Sequence, residues 1–408
     1  MDVRINIERL KNDIEELGRI GRDPRGGVSR PSFSKADLEA RAWLKNKIEA
    51  AGLAFRADGA GNIFGQLGAG GPQVMAGSHI DTVLNGGRFD GAAGVLAALE
   101  AVRRVREEGC RLAKPLAVAA FTDEEGNLVG DFLGSRAFIG TLDRDLLNKG
   151  TTSFGVPLAE VLKNTDFTIE SILSAQADAP PLDAFLELHI EQGPVLDDEG
   201  IPIGIVEAIA GKQYRWCSFI GEAGHAGTVP LELRRDAFLG LADFALRATQ
   251  HVATHHYGSF VTVGRVHVSP GSFSIVPGRA DFSFEFRSRS AETLSALEKE
   301  LPALAEDVAQ TRGLGFSARL MDKTDPVTVP GRLMDLLTGE ADRLGYPHMA
   351  LTSGAGHDAQ ILAAKAPAGM IFIPSPDGVS HAPEESIRWE DLEKGANLLL
   401  AAMIKLAG

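Results

Sequence analysis

Gly77-Ser-His-Ile-Asp-Thr-Val-Leu-Asn-Gly-Gly-Arg-Phe-Asp-Gly-Ala-Ala-Gly-Val95 links an apolar run ending in Val74-Met75-Ala76 to a helical pattern opening at Gly91. The upstream run predicts a short buried strand over 73–77. Downstream, Val95, Leu96, Leu99, Val102 and Val105 share one helical face, and Gly109 ends the helix. Between them His79, Asp81 and Asp90 stand in a glycine-rich loop of little apolar content. Loops where a strand hands over to a helix carry function more often than packing. One His and two Asp in such a loop pose the question of a metal.

Working outward, residues 4–18 and 35–52 read as amphipathic helices, and 55–66 as a hairpin around Asp58-Gly-Ala-Gly-Asn62. Pro115-Leu-Ala-Val-Ala-Ala-Phe121 is a continuous apolar strand of the kind covered on both faces. Ala184-Phe-Leu-Glu-Leu188 and Met370-Ile-Phe-Ile373 are further strands, and 391–407 closes the chain as a helix. The alternation predicts an α/β fold with a mostly parallel sheet. The middle differs: strand 214–221, helix 232–253, strands 260–268 and 279–287, helix 291–310, strand 315–320. That β-α-β-β-α-β order is the split plan of a ferredoxin-like α+β domain. The expected division is a catalytic domain over 1–211 and 326–408, interrupted by an inserted domain over 212–325.

A chain of 408 residues is long for one core, so two domains are expected. A net charge of −14 speaks against nucleic acid or an anionic membrane surface as the main partner. A local Arg can still reverse the field for a small anionic substrate. Cys110 and Cys217 are the only cysteines, which leaves neither a disulfide framework nor a thiolate zinc knuckle. The N-terminal stretch lacks the basic start and apolar centre of a signal peptide, and no run approaches the roughly 18 apolar residues of a membrane span. A soluble cytoplasmic protein is the expectation.

Four strand-like runs end, on their carboxyl side, in a ligand or an acid. They lead to His79 and Asp81, to Asp123-Glu124-Glu125, to His189, and to His381. Open α/β sheets bind ligands at that end. Singly, each residue has an ordinary explanation: Asp90 as a helix N-cap, a strand-end His as a loop residue, Asp-Glu-Glu as a solvated turn. His255-His256 reads as a polar helix end. As a set, three His, one Asp and one Glu suit zinc, manganese or cobalt, and can hold two metals if a carboxylate is shared. Two metals about 3.5–4 Å apart form a hydrolytic site, which also wants a carboxylate to move the proton of water. Glu124 and Glu125 could divide that work. Neither a Gly-x-Ser-x-Gly elbow nor a phosphate loop occurs.

Gly77–Val83, Gly86-Gly-Arg-Phe-Asp-Gly91, Asp123-Glu-Glu-Gly126, Leu186-Glu-Leu-His-Ile-Glu-Gln-Gly-Pro194, Gly224-His-Ala-Gly-Thr-Val-Pro230, Gly354-Ala-Gly-His-Asp358 and Ser380-His-Ala-Pro383 together resemble the amidase branch of the M20 metallopeptidase superfamily. That branch holds N-carbamoyl-L-amino-acid hydrolases, allantoate amidohydrolases and β-ureidopropionases. The resemblance implies two divalent metals (zinc or manganese, with cobalt or nickel as alternatives). His79, Asp90 and His189 would hold one; Asp90, Glu125 and His381 the other. It further implies Glu124 as general base, Asp81 orienting His79, and a homodimer through the inserted lid domain. His225 would act as oxyanion donor to the partner's site, and Arg287 as carboxylate clamp. Gln192 and the Gly354, Ala355 and Gly356 backbone would line the pocket.

Three positions depart from the branch's usual pattern. Ser274 stands where an Asn is usual and lacks the amide's paired donor and acceptor. Gly211-Lys212-Gln213 replaces Gly-Gln-Arg, and Glu125-Gly-Asn-Leu128 replaces Glu-Gly-x-Arg-Phe. The metal set is intact, so the departures bear on the substrate. The expected activity is hydrolysis of a linear amide or ureido C–N bond in a carboxylate-bearing substrate, first an N-carbamoyl-L-amino acid. Allantoate, a β-ureido acid or an N-acyl amino acid (the last as in M20 peptidases and aminoacylases) are alternatives, and a non-catalytic binding protein is the remote one.

Overall fold

The computed structural model describes residues 3–408, in two compact units. One runs up to Glu207 and resumes over Val329–Gly408; the other is Ala208–Thr328. The division lies a few residues outside 212 and 325 because the two chain crossings pair with each other. Val327 and Thr328 stand antiparallel to Ile209 and Ala208.

The first unit is built on four parallel strands, in the sheet order Leu116–Phe121, Gln73–His79, Leu182–Ile190, Ala368–Ile373. Nearly every residue in them is buried, as their mainly apolar sequence requires, and the polar residues Ser78, His79, Glu187 and His189 lie toward the carboxyl ends. Antiparallel strands flank this centre. Ile63–Leu67 pairs with Leu116–Phe121 and, through the expected hairpin, with Ala54–Ala57. Ile203–Ile209 pairs with Ala368–Ile373. The sheet is therefore mixed, parallel where it matters for the site. The helices Ile7–Leu17, Ala92–Glu107 and Trp389–Ala407 share its main apolar core. Ala92–Glu107 is rich in alanine, and the chain comes so close that a Cβ on Gly94 would lie 2.2 Å from the Leu188 carbonyl oxygen. Only glycine permits that approach.

Arg9 ties the first helix to this core. Its guanidinium meets the buried Glu100 at 2.7 and 2.9 Å and Glu107 at 2.5 Å. Arg9→Ala leaves the Glu100 carboxylate short of donors and should destabilise the protein by about 1–3 kcal/mol in denaturant titration. Hydrogen bonding to Arg9 also holds the Glu107 carboxyl down to about 2. A depressed carboxyl stabilises above its unfolded value, and that contribution fades as pH falls toward about 2. The variant should show a weaker loss of stability over this acid range.

The second unit is a four-stranded antiparallel sheet in the order Gly315–Thr324, Gly211–Ile220, Arg279–Ser288, Phe260–Ser269. The helices Ala237–His255 and Ala291–Thr311 pack on it around Phe219, Phe244, Phe282 and Leu297. Chain order and strand order together follow the split β-α-β plan. The first helix begins later than its apolar pattern suggests because the Asp236 carboxylate caps it, accepting from Phe238 and Leu239. Among the described residues, no helix is long and apolar enough to cross a membrane.

Candidate metal centre

His79 and His189 end two neighbouring parallel strands, and Asp90 reaches them from the loop that precedes the Ala92–Glu107 helix. One Asp90 carboxylate oxygen lies 3.1 Å from His189 Nε2 and 3.5 Å from His79 Nε2. The other lies 3.1 Å from His381 Nε2 and accepts from Gln192 at 2.8 Å and Ser380 at 3.1 Å. Glu125 stands 3.5 Å from His381, and Glu124 3.6 Å from His79. Two sets of ligand atoms thus converge, His79–Asp90–His189 and Asp90–Glu125–His381, with Asp90 common to both.

The backbone is shaped for this. Asp90 is not a helix cap: the cap position is Gly91, which makes no side-chain cap bond. Its carboxylate faces the imidazoles instead. Gly91 has φ +61°, and a Cβ there would lie 2.4 Å from His79 Nε2, so both conformation and space demand glycine. Asp123, Gln192 and His381 are non-glycine residues in the left-handed region, with φ of 57°, 60° and 55°. Such strain gathers where function fixes the chain. The Asp123 carboxylate accepts from the N–H groups of Asn127 and Leu128 and so closes the turn bearing Glu124 and Glu125.

The electrostatics ask for positive charge. Burial, then the charge of Asp90, pushes the Glu125 carboxyl up to about 8. Burial likewise raises Glu124 well above the usual carboxyl range, and lifts Asp358 to about 8. Asp90 goes the other way: burial opposes its charge, but hydrogen bonds to three imidazoles hold it well below the ordinary value. His79 Nε2, Glu125 Oε1 and both Asp81 carboxylate oxygens are buried without a hydrogen-bond partner among the described residues. Orphaned buried polar atoms of this kind are costly. Imidazole nitrogens and carboxylate oxygens in these two sets fit a pair of divalent cations sharing Asp90.

Of the other candidate residues in this unit, Asp81 approaches His79 Nδ1 at 3.1 Å through its backbone carbonyl and at 3.7 Å through its carboxylate. Gln192 joins the cluster directly. Gly354, Ala355 and Gly356 form the loop after the His348–Ser353 strand, where the Ser353 hydroxyl donates to the Ala355 carbonyl. His225, Ser274 and Arg287 belong to the second unit. His225 is exposed and accepts from the Gly227 N–H, while the Ser274 carbonyl accepts from the N–H of Ala226. Arg287 is held by Glu285 and lies 3.4 Å from the Tyr214 hydroxyl.

Several supporting residues escape a reading of the sequence. Glu385, buried, accepts from the N–H groups of Phe89 and Asp90 and from the Ser380 hydroxyl, joining the Asp90 loop to the His381 loop. No local signal marks it beyond its position four residues after His381. Glu385→Ala should weaken metal retention roughly 10- to 100-fold, read as metal content after dialysis against graded chelator. Glu187, in mid-strand and on the same face as His189, takes Ser78 at 2.6 Å and the Ala359 N–H at 2.8 Å. A Glu inside an otherwise apolar strand is the signal that marks it. Beside it the His357 ring packs 4.5 Å from that of His189. Arg30, fully buried, donates to the carbonyls of Ile80 and Ile20 and so holds the segment that follows His79.

Residues 75–405 match the family described as peptidase family M20/M25/M40. The chain is 37% identical to an N-carbamoyl-L-amino acid amidohydrolase of Geobacillus stearothermophilus, over 99% of each chain. It is 33% identical to the allantoate amidohydrolase of Escherichia coli K12, covering 98% of this chain and 99% of that one. A crystal structure of a hydantoinase/carbamoylase family amidase from Burkholderia multivorans superposes with a TM-score of 0.89 at 33% identity, covering 100% and 99% of the two chains. Full-length likeness of this order, together with the imidazole–carboxylate cluster at the strand ends, means that the chain belongs to the M20/M25/M40 family, among its hydantoinase/carbamoylase-type amidases.

Proposed function

We propose that the chain is a dimetal amidohydrolase that splits an N-carbamoyl-L-amino acid into the free amino acid, carbon dioxide and ammonia. The observation that carries this is Asp90 set between two ligand groups, with the Glu124 carboxylate beside them, 3.6 Å from His79 Nε2. His79, Asp90 and His189 hold one cation, and Asp90, Glu125 and His381 the other, zinc or manganese by donor type. When bound, the cations supply positive charge that acidifies water and stabilises an oxyanion. Glu124 takes the proton of the attacking water and returns it to the leaving nitrogen. Asp81 keeps His79 oriented.

The Arg287 fork holds the substrate carboxylate, Ser274 contacts its polar groups, and Gln192 with the Gly354–Ala355–Gly356 backbone lines the pocket. His225 of the partner subunit donates to the oxyanion. The second unit serves as lid and dimerisation domain. In support, its Phe260–Ser269 strand has one unpaired edge, and Tyr257, Leu246 and Phe260 beside it are 99%, 74% and 63% exposed. A second copy of the chain is the occupant this edge fits. A cytoplasmic location accords with two unpaired cysteines.

Relative turnover decides the substrate, and ammonia release separates carbamoyl and ureido compounds from N-acyl amino acids. The enzyme loaded with zinc or manganese is assayed against N-carbamoyl-L-amino acids, allantoate, β-ureido acids and N-acyl amino acids. The highest kcat/KM is expected for a carbamoyl-L-amino acid. Faster turnover of an N-acyl amino acid, without ammonia, would overturn the carbamoyl assignment.

A further inference from the structure

A cavity of about 380 Å³ opens on the first unit between the segment after the first helix and the loop before Asp90. Arg19, Arg22 and Arg88 all line it. None of the three guanidiniums makes a salt bridge or hydrogen bond with a described residue, although Arg19 acts at longer range on Glu16; Arg88 lies over the Phe89 ring at 5.0 Å. This is unusual in a chain where acids outnumber bases 55 to 41. Other arginines here, such as Arg9, Arg41, Arg103 and Arg388, sit on carboxylates. Two acids share the wall. Glu15 is half-buried, and Glu385 is already committed to the N–H groups of Phe89 and Asp90. The N–H groups of Gly87 and Arg88 have no acceptor among the described residues.

The cavity is also preformed. Val28 and Gly86 exchange two backbone hydrogen bonds, each of 2.9 Å, and Arg22 bridges Val28, so the two walls are tied together. Three unpaired forks around a fixed space suit an oxyanion with several acceptor atoms. The volume falls within the usual small-ligand range of about 300–1,000 Å³. We infer that this cavity is a second ligand site, separate from the metal centre, for a small oxyanion of two or more negative charges. A phosphate or phosphate ester and a polycarboxylate share that chemistry.

The test is calorimetric titration of the metal-loaded full-length enzyme with inorganic phosphate and, separately, with tricarballylate. Arg19→Gln/Arg22→Gln and Arg287→Gln variants are titrated in parallel. Both arginines of the double variant are exposed, and neither belongs to the catalytic machinery, so its turnover should equal that of the parent enzyme. The expected result is saturable binding of at least one anion, weakened roughly tenfold or more by the double variant and unchanged by Arg287→Gln. The probe that binds identifies the source of the charge. Binding kept in the double variant would place the anion elsewhere, in the substrate pocket if Arg287→Gln abolishes it or on the metal centre if it does not, and either would overturn the inference. So would the absence of saturable binding by either probe. Neither outcome depends on which substrate the enzyme hydrolyses.

Discussion

Glu124→Gln keeps its full metal content and loses about 10²- to 10⁴-fold in kcat, the usual worth of a positioned general base. The geometry separates the two readouts. The near neighbour of the Glu124 carboxylate is His79 Nε2, at 3.6 Å, and Glu124 belongs to neither convergent ligand set. Glutamine fills the same volume and keeps a carbonyl oxygen, but it cannot take a proton. The site is 9% exposed at Glu124, so bulk buffer is poorly placed to substitute for it. Metal content by elemental analysis and kcat from ammonia release are measured on one preparation. Loss of metal would reassign Glu124 to the ligand set, whereas unchanged turnover would remove it as the base.

How far the sequence reveals this site depends on where each signal is stored. The parallel strands are legible because strands covered on both faces are dominated by apolar residues, as 116–121 is throughout and 184–188 is apart from Glu187. The strand-end residues are legible because an α/β sheet gathers ligands at its carboxyl edge. Asp90 is ambiguous for a stated reason. The position before a helix looks the same whether the side chain turns back to cap it or faces outward to three imidazoles. The contacts of the carboxylate with the imidazoles, and Gly91 in the cap position, decide between them. Glu385 is silent in sequence, since it acts on N–H groups almost 300 residues away, and backbone donors leave no trace in residue identity. The Ile203–Ile209 strand and the Gly331–Leu344 helix also pass unnoticed. The first is an antiparallel flank with a Glu in its interior. The second is there to be read: Leu333, Leu337 and Ala341 are buried and Met334 and Leu344 pack beside them, a stripe at helical spacing.

The second large effect belongs to Asp90→Asn. If Asp90 joins the two cations, removing its charge damages both sites at once, and metal content should fall from two per chain to less than one. A change at His189 or His381 should remove one ion only. Asparagine is nearly isosteric and retains one acceptor, so His189 or His381 can still find a hydrogen bond. What is lost is the negative charge facing all three imidazoles. Two cations contribute several kcal/mol of transition-state stabilisation, and each 1.36 kcal/mol is about tenfold, so kcat should fall by about 10³-fold or more. The fold should survive, because the loop stays anchored by Glu385 on the N–H groups of Phe89 and Asp90, which the substitution leaves in place. Thermal melting of metal-free parent and variant checks that point. A variant that keeps two ions and most of its turnover would show that the ligand sets are independent, with Asp90 only a hydrogen-bond acceptor for the histidines. A variant that keeps one ion would assign Asp90 to a single site and leave Glu125 and His381 to hold the other with solvent.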